Sequence, residues 1–112
     1  MKKTLIIFSV VFLASCSSKL IRPSQSDVDK GATKFSGLSL AELNEGRAMC
    51  KQKCTQCHPA KSPSSRNEDE WRKIVPQMAA KAMKKKNKKK ISDADQEIIL
   101  KYLITMSEAH KK

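Results

Sequence analysis

The chain has 112 residues, a formal net charge of +12, four cysteines and five aromatic residues, so it holds one small domain and whatever targeting segment it carries. That length excludes a multidomain enzyme, and a domain this small usually needs a disulfide set, a metal, a cofactor or a partner to complete its core. Lys2 and Lys3 precede an apolar run from Leu5 to Ala14 that is too short to span a bilayer as a mature helix, which marks residues 1–15 as a removable export signal. Its removal takes Phe8 and Phe12 and leaves Phe35, Trp71 and Tyr102 as the aromatic residues.

Leu13-Ala14-Ser15-Cys16 resembles the lipobox of bacterial lipoproteins. The resemblance implies cleavage before Cys16, a diacylglycerol on its sulfur and a palmitate-type acyl chain on its amine. Several such chains, at roughly 0.8 kcal/mol per buried CH₂, hold a protein to a membrane almost permanently. The mature chain is therefore expected in the cell envelope as a periplasm-facing lipoprotein. By resemblance to the enterobacterial sorting rule, Ser17 after the cysteine, where an aspartate would imply the inner membrane, implies the outer one. Disulfides and covalent cofactor attachment are possible there. Residues 16–38 show serines, mixed charges and no apolar period, and read as a lipidated flexible tether with an r.m.s. span of about 25 Å.

Three helices are predicted after it. Ser39-Leu40-Ala41-Glu42 has the spacing of a capping box, starting a helix that carries Leu40, Leu43 and Met49 around Gly46 and runs to about Lys53. Ser65 or Asn67 caps a second helix with Trp71, Ile74 and Val75, which Pro76 should end or kink near Val75. Ser92-Asp93-Ala94-Asp95 opens a third, with Ile98, Ile99, Tyr102, Leu103 and Met106. No stretch alternates apolar and polar residues between turn signals, so the expected fold is all-α, in a domain of residues 39–112.

Between the first two helices lies Cys54-Thr55-Gln56-Cys57-His58, which reads as Cys-x-x-Cys-His, the attachment sequence of haem c. Two cysteines three residues apart reach the two vinyl groups of one porphyrin, and the next residue turns its imidazole to the iron. Other site chemistries fit less well. A thioredoxin-like pair would follow a strand. A zinc site from Cys50, Cys54, Cys57 and His58 would draw all its ligands from nine consecutive residues, unlike the separated pairs of structural zinc sites. Cys50-x₃-Cys54-x₂-Cys57 also reads as the iron–sulfur motif of radical SAM enzymes, but those are far larger.

The segment from Leu43 to His58 resembles the first helix of a class I, monohaem cytochrome c, and Ile99, Tyr102 and Leu103 match the end of that family's terminal helix. The resemblance covers about Leu40 to Met106. It implies a cytochrome c fold of about three helices around one covalently bound haem c, with Gly46 where the terminal helix crosses closely. Cys50 departs from the large side chain the family more often has there, and reads as a buried small hydrophobe ahead of a reactive thiol. The resemblance further implies Cys54 and Cys57 as attachment residues, His58 as the proximal ligand and a distal methionine from the segment before the last helix. Met78 fits that order best, with Met83 as the alternative. Pro76 suggests that Met78 sits on a turn, and Trp71 is expected to donate to a haem propionate or simply to pack.

Between Met78 and Ser92 lie seven lysines, Lys81, Lys84, Lys85, Lys86, Lys88, Lys89 and Lys90, a run that steers an acidic redox partner or attracts anionic lipid. With so few aromatic platforms, nucleic acid is not an expected partner. The expected function is single-electron transfer between redox proteins by a membrane-anchored cytochrome, an electron carrier and not an enzyme. The alternatives are a haem-based gas-binding or sensor protein, or the haem subunit of an oxidoreductase complex.

Overall fold

A computed structural model describes residues 19–57 and 59–111; Cys16 and His58 lie outside the described residues. The described residues are all-helical, without a strand: α1 (Gln25–Gly31), α2 (Leu40–Gln52), α3 (Glu68–Lys84) and α4 (Asp93–Ala109), with short 3₁₀ turns at Cys54–Gln56 and Pro63–Ser65. None of these helices is long and apolar enough to cross a membrane.

Each start is set by a cap. At α3, Asn67 accepts from the Glu70 amide at 2.9 Å while Glu70 reaches back to the Asn67 amide. Ser92 and Asp95 make the same reciprocal pair at α4. At α2 only half of the expected box forms. Ser39 accepts from the Glu42 amide at 3.1 Å, but the Glu42 carboxylate turns to Lys101 of α4 at 2.9 Å and ties the two helices together. Lys53, capping the far end of α2, pairs with Asp95 at 2.6 Å; that bond, then the Ser92 amide, holds the Asp95 carboxyl below its ordinary range.

α4 is the central element, with Ile99, Tyr102, Ile104 and Met106 buried against α2, α3 and α1. It meets α2 at Gly46, where a β-carbon would stand 2.6 Å from both the Ile98 carbonyl oxygen and Tyr102 Cβ. The helix backbones approach there because Gly46 has no side chain.

Two expectations are corrected. Residues 16–38 were expected to form a flexible tether, but from Leu20 onward they belong to the fold. Ser24 and Asp27 form a capping box that starts α1, and Leu20, Val28 and Leu38 are buried in the core. Arg47 Nε donates to the Leu20 carbonyl at 2.9 Å and Tyr102 Oη to the Ile21 carbonyl at 2.8 Å. Lys34 bridges Glu68 of α3 and Glu108 of α4, and His110 Nε2 meets the buried Asp27 Oδ1 at 3.0 Å. The physical reason is burial: three aliphatic side chains at about 1.5–3 kcal/mol each outweigh a weak local pattern.

The second concerns Pro76, expected to end or kink the helix near Val75: of these, the ending is corrected, since α3 continues to Lys84. An interior proline costs about 3 kcal/mol. Trp71, Val75, Ala79 and Ala82 bury one stripe on both sides of it, while Pro76 faces solvent. Burial of that stripe outweighs the lost backbone bond.

Gly46→Ala should destabilise the protein by about 1–3 kcal/mol, because the clash falls on backbone that cannot yield; the thermal midpoint checks it, at roughly 4–8 °C per kcal/mol. Burial works against the Asp27 charge, but the Ser24 amide and hydroxyl together with His110 hold its carboxyl below the usual range. A depressed folded pKa contributes stability that is complete above the unfolded value of about 3.9 and lost as pH falls through the folded one. Asp27→Asn should therefore be less stable than the native chain at neutral pH, with the gap closing below about pH 4 in urea unfolding curves.

Candidate cofactor cleft

At the end of α2 the Lys53 amide bonds back to the Met49 carbonyl at 2.7 Å, and the Thr55 hydroxyl to the Lys51 carbonyl. The chain tightens into the Cys54–Gln56 turn, one turn of chain after Cys50. Cys50 is buried, Cys54 half-buried and Cys57 exposed, all three as free thiols. The neighbouring Cys54 thiol, then burial, pushes Cys50 far above the ordinary thiol range, and the same interaction lowers Cys54. Cys54 is thus the more readily ionised, more nucleophilic of the two.

Two clefts adjoin these cysteines. The first is lined by Cys50 and Cys54, by Trp71, Ile74 and Met78 of α3, by Leu103 of α4 and by Leu20, with Lys61 and Arg66 as its cations. The second is lined by Cys57, Ile74, Gln77, Met78, Lys81 and Lys85. Ile74 and Met78, one helical turn apart on α3, border both. The structure therefore brings Met78 to the clefts of both cysteines, from a helix and not from the expected turn. Met83 is 62% exposed near the end of α3 and lines neither, while Met106 is buried in α4.

Trp71 is buried, and its indole N–H donates to the Pro63 carbonyl at 2.9 Å. This bond ties α3 to the Pro63–Ser65 turn, and Ser107 of α4 holds the same segment by donating to the Arg66 carbonyl at 2.6 Å. The Arg66 guanidinium lies 6.0 Å from the Trp71 ring centroid.

Gln56, inside the Cys-x-x-Cys-His motif, was not singled out by its sequence. Its side-chain amide donates to the Lys89 carbonyl at 2.8 Å and its oxygen accepts from the Lys89 amide at 2.7 Å, while Lys88 Nζ bonds the Gln56 carbonyl. The lysine-rich loop is thereby clamped onto the cysteine turn. Nothing in sequence spacing marks a contact across 33 residues. Leu20 was missed as well, although the Ser24-to-Asp27 spacing signals the cap that begins its segment.

No family model, no curated protein and no solved structure matches the chain.

Gln56→Ala should free the loop without unfolding the domain. Two lost bonds at about 1 kcal/mol each predict amide exchange at Lys89 faster by an order of magnitude or more, with exchange in α4 unchanged, as read by hydrogen–deuterium exchange mass spectrometry.

Proposed function

We propose that the chain is a lipid-anchored c-type cytochrome that carries single electrons between redox proteins. One observation carries this reading: the two cysteines of the Cys-x-x-Cys-His motif open on two clefts that share Ile74 and Met78, so a thioether from another helix lines the cleft of each thiol. The donor set fits haem c. Cys54 and Cys57 would hold it by thioether bonds, His58 and Met78 would supply its iron ligands, and Leu20, Trp71, Ile74 and Leu103 offer an apolar wall. The close crossing of α2 and α4 at Gly46 supports a cytochrome c arrangement of these helices.

When bound, haem c supplies a one-electron couple at iron, and a thioether ligand favours its ferrous form. The protein's own residues do the rest. Leu20 and Leu103 give the first cleft apolar lining, and Trp71 braces its loop through Pro63. Lys81 and Lys85 at the Cys57 cleft, with Lys84, Lys86 and Lys88–Lys90 beside them, steer an acidic redox partner, an attraction that fades as salt rises. The lipid on Cys16 confines the exchange to the periplasmic face of an envelope membrane, the outer one by the Ser17 criterion.

The test is a pyridine haemochrome assay and an oxidised-minus-reduced spectrum of the chain made with haem-maturation machinery, beside Met78→Ala. A c-type spectrum with a methionine-to-ferric-iron band that vanishes in Met78→Ala is the expected result. A c-type spectrum without that band would move the protein to gas binding or sensing. Absence of covalent haem would return the cysteines to thiol or zinc chemistry.

A further inference from the structure

We infer that the bilayer is itself a docking surface for this domain: a leash of four residues holds the Leu20 end of the first cleft, with Lys19, Arg22 and Lys61, against anionic lipid headgroups. The inference rests on the lipid-anchor reading and deepens it.

Its basis is where the fold begins. Leu20 is 3% exposed and lines the first cleft. It is fixed there through its carbonyl by Arg47 of α2, and the next carbonyl, of Ile21, is held by the buried Tyr102 of α4. The Ser24–Asp27 box starts α1 three residues later. Four peptide steps separate Cys16 from Leu20, and a fully extended chain covers at most about 14 Å in four residues. A lipid on Cys16 therefore cannot let the Leu20 end of the cleft stray far from the membrane surface, whereas a free tether of residues 16–38 would have let the domain roam over about 25 Å.

Charge at that end matches a membrane. Lys19, Arg22 and Lys61 are exposed, and Lys61 lines the same cleft as Leu20. A cation held within a Debye length of an anionic leaflet, about 10 Å at 0.1 M salt, is attracted to it. The lysine loop is clamped through Gln56 beside the cysteine turn. Anchor and cations together make the bilayer one contact surface of the carrier and leave the lysine loop for its protein partner.

The experiment is amine acetylation of the full, lipidated, haem-loaded chain on vesicles of phosphatidylglycerol and phosphatidylcholine, with labelling rates at Lys61 and Lys86 read by mass spectrometry. The comparison chain carries about 15 glycine and serine residues between Ser18 and Lys19, which adds a span of roughly 20 Å. The expected result is severalfold slower labelling of Lys61 in the native chain than in the comparison chain, with Lys86 equal in both. Equal rates at Lys61 overturn the inference, and protection that is just as strong on pure phosphatidylcholine overturns the role of headgroup charge. A chain that does not float with the vesicles overturns the lipid anchor and this inference together. One that floats without protection of Lys61 overturns the inference alone.

Discussion

The crossing of α2 and α4 at Gly46 is the constraint on which the rest of the molecule depends. With no side chain at that point, the α2 backbone closes on the Ile98 carbonyl and Tyr102 Cβ. Two consequences follow along the two helices. On α2, the contact fixes the direction in which the helix ends and therefore where Cys50, one turn later, and Cys54, just past the helix end, emerge. On α4, it buries the Tyr102 ring with its hydroxyl aimed at the Ile21 carbonyl, so the residue that seals the helix pair also fastens the N-terminal segment. That burial pushes the Tyr102 hydroxyl above its ordinary pKa, which keeps it a neutral donor. The polar pairs of the crossing, Glu42 with Lys101 and Lys53 with Asp95, lie partly exposed at its margin. Exposed pairs of this kind contribute about 0–1 kcal/mol, so they set register more than they hold the helices together.

What was legible in the chain was local chemistry. The helix starts at Ser39, Asn67 and Ser92 follow from one rule, a short polar side chain taking an early amide, and that rule depends on nothing beyond the next few residues. The same spacing stands at Ser24 and Asp27. It went unread because the helix it opens is seven residues long and carries Val28 alone as a buried aliphatic residue, too little for a period to emerge. Leu20 and Leu38 complete its apolar surface from outside the helix. Their burial is a tertiary fact. Pro76 is the opposite case, a strong local signal overridden by burial of Trp71, Val75, Ala79 and Ala82 on either side of it. Both errors share a cause: the weight of an apolar contact depends on which surface it meets, and α4, which supplies that surface, comes last in the chain.

The candidate site divides in the same way. The cysteine motif is contiguous and was readable as it stands, and Met78 was reachable from its order in the chain. The reason Met78 borders the same clefts as the cysteines was not readable. It follows from α3 continuing past Pro76, because only a continuous helix places Met78 one turn beyond Ile74 and next to both clefts. A methionine on a turn would be positioned by that turn's own few contacts. On α3 it is positioned by a buried stripe and by the Trp71 bond to Pro63. Under the proposed reading this matters for electron transfer, since a ligand carried by a packed helix keeps its place when iron changes charge, and the protein rearranges less with each electron. The proline that seemed to mark the end of a helix instead sits on its solvent face, where the missing amide bond is tolerated, and the face opposite carries the packing that holds the candidate ligand in register.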